Sequence, residues 1–259
     1  MRQLITQGLR RLVKGDPRYP RGDRSASIIA VVLLIDLDAQ GHSATSLAAC
    51  MPAQPICRPT SEILLSDDRL QLLDALVTTQ LPNLDLTPAD PALAEAEGRI
   101  SQKIGKELLL RDALATTRTH YDHIIIDCPP NKGNLTLNAL LAADHVLIPT
   151  DLSPLALQGA DELVSTVVTV NERLHHPLSV LGVLITRVDN RNSSVNDAMR
   201  RQLLDAWGEL VFQTEIGVNT HISKAQMVGL PVWSFAPTSR AAQHYMSLVH
   251  EVVARLKND

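Results

Sequence analysis

Apolar runs bounded by Pro, Gly or Asp recur along the chain: IIAVVLLIDLDAQG at residues 28–41, then LPNLDLTPAD, YDHIIIDCPP, HVLIPTD, LSVLGVLITRVD and ELVFQTEIG. Short and rich in Ile, Val and Leu, these runs read as buried strands. Between them, apolar residues return at spacings of three and four over 61–77, 93–115, 135–141, 155–174, 195–207 and 241–256, which predicts helices. In the last of these, Tyr245, Leu248, Val249, Val252, Val253 and Leu256 mark the face expected to pack on the core. Strands alternating with amphipathic helices imply an α/β fold with a doubly wound, mostly parallel sheet flanked by helices.

Ligands of such sheets bind beyond the carboxyl ends of the strands. Asp36, Asp38 and Asp127 each stand at or just after the end of an apolar run. In VLLIDLDAQG the strand period puts Asp36 and Asp38 on one side. In HIIIDCPP, Asp127 marks the strand exit, and Pro129 and Pro130 fix the path that follows. Carboxylates so placed hold Mg²⁺ through water and orient an attacking water for phosphoryl transfer. An Asp after a strand also caps turns and helices, and both readings stay open on these residues alone.

Composition narrows the rest. At 259 residues the chain fits one large domain more easily than two small ones. Aromatic content of 3% leaves few rings on which nucleic-acid bases could stack. Cys50, Cys57 and Cys128 are odd in number and lack a CxxC spacing, so neither a disulfide framework nor a zinc site is indicated, and a reducing cytoplasm fits best. No apolar run reaches the ~18 residues of a membrane span, and no signal-peptide pattern opens the chain. The net charge of −4 is uneven: residues 1–24 carry seven Arg or Lys against two Asp, a balance of +5, which leaves −9 on the remainder. Residues 1–27 are therefore set apart as an atypical basic segment, with 28–259 as the α/β domain.

VLLIDLDAQGHSATSL, YDHIIIDCPPNKGNLTLNALLAADHVLIPT, LALQGADEL, LGVLITRVDNR and the closing stretch from IGVNTHISKAQMVGLPVW onward resemble, in order and spacing, the ParA family of DNA-partition ATPases within the ParA/MinD group of P-loop NTPases. The resemblance runs from about Val31 to Leu256. It implies a P-loop NTPase-like fold and an ATP- and Mg²⁺-dependent homodimer in the cytoplasm. That dimer binds DNA non-specifically and is driven to hydrolyse ATP by a centromere-binding partition protein, so that plasmid or chromosome copies separate. It further implies that Asp38 positions the attacking water, that Asp36 and Asp127 support the Mg²⁺ shell, and that Thr186, Arg187, Gly217 and Asn219 surround the adenine. A membrane is not an expected partner, because the C-terminal membrane helix of MinD-like positioning ATPases, the alternative within the group, has no counterpart after Leu256.

One element of the family is missing. Phosphoryl transfer needs backbone N–H groups and a lysine on the β and γ phosphates, which the family supplies from KGGxGKT between its first strand and first helix. These 259 residues contain no such string. The corresponding stretch, MRQLITQGLRRLVKGDPRYPRGDRSAS, carries Pro17 and Pro20 where the helix should run. Lys14 nevertheless stands about two dozen residues before Asp38, at the offset of the family's second loop lysine. A basic arm that replaced the loop accounts for this, and so does a reading frame that slipped and was later restored. Read one nucleotide later, codons for Lys-Gly-Asp-Pro-Arg-Tyr-Pro-Arg-Gly-Asp permit Lys-x-Thr-Leu-Ala-Ile-x-Ala-Ala-Ile, a good helix start. ATP binding and hydrolysis are expected to be impaired, and a nucleotide-independent ParA-like binding protein is the rival reading. A sheet left with an unpaired edge is a further expectation.

Within RQLITQGLRRLVK the apolar residues recur near helical spacing, as in a surface helix or a frayed terminus. Arg191, Arg200, Arg201 and Lys224 are the candidate DNA contacts, through phosphates rather than bases. Solvated helix charge explains Arg200 and Arg201 equally well. Val218 and His221 stand where the family often carries arginine.

Overall fold

The computed structural model describes residues 3–8, 30–53, 57–68, 70–189, 191 and 193–258. The chain divides into two compact units, one of Ile5–Asp144 and one of His145–Asp259 with Met1–Leu4.

In the first unit the strands are β1 (Gln3–Gly8), β2 (Val32–Asp36), β3 (Val77–Thr78), β4 (Leu84–Thr87) and β5 (His123–Cys128), in the order β3-β4-β2-β5-β1. β2 runs parallel to both β4 and β5, and only the two-residue β3 is antiparallel. Leu33 and Ile35 of β2, Leu86 of β4, and Ile124 and Ile126 of β5 are buried, as strands covered on both faces require. Around them pack α1 (His42–Ser46), α2 (Thr60–Leu65), α3 (Leu93–Ile100), α4 (Leu109–Ala113) and α5 (Asn134–Ala142), which bury Ile63, Leu93, Ile100, Leu110 and Leu135 among others.

The second unit holds β6 (His145–Thr150), β7 (Ser179–Val188) and β8 (Ile216–Gly217), all parallel, with α6 (Pro154–Leu174), α7 (Ser193–Trp207), α8 (Thr220–Met227), α9 (Val232–Phe235) and α10 (Arg240–Asn258). α6 starts where Ser153 Oγ accepts the Ala156 N–H, with Pro154 opening the first turn. The core joins Leu147, Leu181, Leu184, Phe212 and Ile216 to Tyr245, Leu248, Val252 and Leu256 of α10.

Several expectations are corrected. The predicted helix over 61–77 stops at Leu65 and resumes only as a short 3₁₀ turn at Leu72–Ala75, because Asp67, Asp68 and Arg69 interrupt the apolar spacing. The helix over 93–115 is two helices, parted by the turns that follow Ile100. ELVFQTEIG forms a strand only at Ile216 and Gly217, with a single bridge from Val211 to Val183. Val249, placed on the core face by periodicity, is exposed. The N-terminal stretch gives a strand at Gln3–Gly8 instead of the start of a helix, and it stands next to β5, so the unpaired sheet edge expected there is covered. Pro17, Pro20 and Lys14 lie outside the described residues.

Candidate functional site

β2 and β5 are in register along their length, so Asp36 stands directly opposite Asp127 at the ends of adjacent strands. Both carboxyl groups are buried, Asp36 completely. The chain leaving β2 folds back on the first of them. Asp36 Oδ1 accepts the Asp38 N–H at 3.0 Å, and Asp36 Oδ2 accepts the Ser43 N–H at 3.1 Å. The Ser43 hydroxyl donates to Asp127 Oδ2 at 3.1 Å, tying the two strand ends together. Asp38 Oδ1 in turn accepts the Gln40 N–H at 3.1 Å, and Gly41 closes the turn at φ +60°, a conformation glycine adopts without cost.

Asp38 thus lies near Asp36 through an Asx-type turn. It is two residues past the strand, so the strand alternation argued from sequence does not set its position. It is only half-buried.

Burial pushes the Asp36 carboxyl above its ordinary range, against the N–H bonds from Ser43 and Asp38, with the Asp38 charge adding to the rise. Cys128, fully enclosed beside the site, has its thiol pushed well up by burial and then by Asp127, Asp36 and Asp38 together. The three aspartates therefore share one electrostatic neighbourhood.

Among the described residues no group of three or more His, Cys, Asp or Glu is placed to hold a metal directly. Both oxygens of Asp36 already accept backbone N–H groups, so these carboxylates fit a cation held through its water shell better than one bound by direct ligands. The KGGxGKT string with which the family cradles phosphates does not occur in the sequence. The described residues fit the cation side of a nucleotide site.

In the other unit, the residues matched to the adenine gather at the ends of β7 and β8. Thr186 Oγ1 donates to the Thr150 carbonyl at 2.9 Å. Arg187 is exposed and sits at φ +56° where the β7–β8 register shifts, a strained conformation for a residue with a Cβ. The Gly217 N–H points at His244 Nδ1, 3.4 Å away, and Asn219 caps α8 by accepting the His221 N–H at 2.9 Å.

The basic residues proposed for DNA are unequal. Arg191 forks onto Asp189 and holds that carboxyl down to about 2. Arg200 pairs with Glu215 and Asp197, and Arg201 Nε donates to the Asp197 carbonyl. Arg201 and Lys224 have no ion pair among the described residues. Sequence reasoning missed Ser43 and His244. A hydroxyl at the start of the helix after DLDAQG was the available signal for Ser43, and nothing in the sequence pointed to His244.

Residues 26–180 match the family model described as an AAA domain, and with the parallel sheet and its strand-end carboxylates this defines a protein of the P-loop NTPase class. The chain is 36% identical over 223 residues to the sporulation initiation inhibitor protein Soj of Bacillus subtilis, covering 86% of each. It is 34% identical over 229 residues to the chromosome partitioning protein ParA of Caulobacter vibrioides, covering 86% of this chain and 83% of that one. The chain belongs to the ParA/Soj family. Among solved structures, apo McdA of Cyanothece superposes with a TM-score of 0.74 at 21% identity, covering 86% of this chain and 88% of that chain, a likeness of fold. Cobyrinic acid a,c-diamide synthase of Mycobacterium smegmatis, solved with a bound ATP analog and magnesium, gives 0.64 at 33% identity, covering 76% and 78%.

Proposed function

We propose that this chain serves in plasmid or chromosome partition as a ParA-type homodimer, with a nucleotide site that binds and hydrolyses ATP poorly. The observation that carries the reading is the facing pair Asp36 and Asp127, bridged by Ser43, with Asp38 one turn further on. Magnesium held there with ATP would neutralise phosphate charge. With such a cation bound, half-buried Asp38 would orient an attacking water, and Asp36 and Asp127 would hold the cation through intervening water. Thr186, Arg187, Gly217 and Asn219 are assigned to the adenine. The missing phosphate loop sets the weakness, since backbone N–H groups and a lysine normally supply most of the binding to the phosphates. Family membership supports a centromere-binding partner and non-specific DNA as the macromolecules engaged.

Isothermal titration with Mg-ATP tests the nucleotide half. Affinity weaker than micromolar is expected, and micromolar binding lost in Asp38→Ala or Asp127→Ala would overturn the claim of impairment. A second reading, a binding protein that needs no nucleotide, is favoured by both Asp36 oxygens already accepting backbone N–H groups from the chain that follows. It requires DNA retention to be the same with and without Mg-ATP.

A further inference from the structure

Asp36 and Asp127 end neighbouring strands, which lie about 4.8 Å apart, so two buried carboxyl groups are crowded at one place. The chain leaving β2 meets that crowding in the excursion from Leu37 to Ser43. It starts against β5, where the Leu37 N–H donates to the Asp127 carbonyl at 2.8 Å. Asp36 then pins the excursion at two points, Oδ1 taking the Asp38 N–H and Oδ2 the Ser43 N–H. Between those points the turn closes on itself, because the Asp38 carbonyl accepts the Gly41 N–H at 2.8 Å and the Asp38 carboxyl accepts the Gln40 N–H. The Ser43 hydroxyl returns to β5 by donating to Asp127. Burial raises the Asp36 carboxyl, and the amide and the hydroxyl of Ser43 both act against that rise, so the hydroxyl stands close to both carboxyl groups. One residue therefore touches both strand-end carboxylates and ends the turn that carries Asp38.

We propose that Ser43 is a positioning residue that couples Asp127 to Asp38, so that whatever engages the Asp127 carboxylate also resets the turn holding Asp38. The excursion is the compliant part of this corner. Asp38 stands two residues past the strand and is half-buried, and α1, which follows the turn, has no buried residue. Packing does not hold α1 against the sheet, so the hydrogen bonds of Ser43 decide where the end of the turn lies. A hydroxyl donating to a carboxylate makes a strong, directional bond, and that bond weakens when the carboxylate charge is shared with another group. Loss or turning of the Asp127 bond would leave Ser43 held by its N–H alone, with the Asp38 turn free to shift about Asp36. What Asp38 does in that turn rests on the proposed nucleotide site. The coupling itself does not.

Amide resonances of the full chain test it, using Ser43→Ala, which removes the hydroxyl and keeps the N–H, and Ser43→Thr, which keeps both. Asp127→Asn is the perturbation, since it preserves shape and removes charge. In the native and Ser43→Thr backgrounds it should move the Asp38, Gln40 and Gly41 resonances. In the Ser43→Ala background the same substitution should move them at least about threefold less, the non-additivity shown by residues in contact. A hydroxyl that only added stability would lower the unfolding midpoint of Ser43→Ala and leave that response intact. Equal responses in the native and Ser43→Ala backgrounds therefore overturn the proposal. Mn²⁺ is the second probe: in the native chain it should broaden the same amides, with an apparent affinity about tenfold lower in Ser43→Ala. Broadening with equal affinity in the two chains overturns the proposal as well. If Mn²⁺ broadens nothing, the cation reading of the site fails, while an Asp127 response that depends on the hydroxyl still establishes the coupling.

Discussion

At Asp36, burial and hydrogen bonding oppose each other, and burial wins. Because the folded-state pKa stands above the unfolded one, the folded chain holds more protons in the interval between them. Its stability therefore falls as pH rises through that interval and is regained on acidification. Thermal midpoints of the native chain and Asp36→Asn, compared from about pH 7 down toward the ordinary carboxylate range, should shift in favour of the native chain as pH falls. A constant difference would remove burial as the dominant influence. Arg187 offers a second single-residue test. Its φ of +56° is one that glycine adopts freely, so Arg187→Gly should raise stability by about 1 kcal/mol, read from a denaturant midpoint at unchanged slope. Arg187→Ala should bring no gain, because alanine keeps the Cβ. Equal gains from both would place the cost in the side chain and not in the backbone.

α5 begins immediately after the Asp127 loop, and its first N–H groups are satisfied from another element. Glu97 of α3 accepts from Asn134 N–H at 2.7 Å and from Leu135 N–H at 3.2 Å. Removing this acceptor in Glu97→Ala should cost about 1–2 kcal/mol by urea unfolding, the range of a lost N-terminal cap. β7 has a tighter constraint. A Cβ at Gly182 would stand 2.5 Å from the Leu210 carbonyl oxygen, which is backbone and cannot swing aside, and Arg255 fixes the same stretch by donating to the Leu181, Leu210 and Val211 carbonyls. Gly182→Ala should lower stability by about 3 kcal/mol or leave little soluble protein.

These elements also show which features were legible in the sequence. Strands carrying uninterrupted Ile, Val and Leu runs, as in HIIIDC, announce themselves because burial on both faces leaves no room for polar residues. The facing of Asp36 and Asp127 follows once two such strands are neighbours. The break after Ile100 was hidden because Ile104 continues the apolar spacing while lying fully in solvent. The bridging role of Ser43, and the link from Glu97 to α5, come from contacts between segments far apart in sequence, which periodicity cannot see.

On the scale of the whole molecule, two of the four cations matched to DNA binding are already held by carboxylates. The formal balance is −4, and leaving out the +5 of residues 1–24 puts −9 on the rest. Of the arginines matched to DNA binding, Arg191 is neutralised by Asp189, and Arg200 by Glu215 and Asp197. Arg201 and Lys224 are left, and each phosphate neutralised on duplex DNA contributes about −0.9 to the slope of log K against log salt, so a slope of about −2 is expected. Filter retention of non-specific duplex across a salt series measures it. Lys224→Ala should bring the slope to about −1, and Asp189→Asn, which releases Arg191, should steepen it to about −3. A native slope steeper than about −4 would mean that cations outside these four carry the contact, and the basic residues before Asp36 would be the next to substitute.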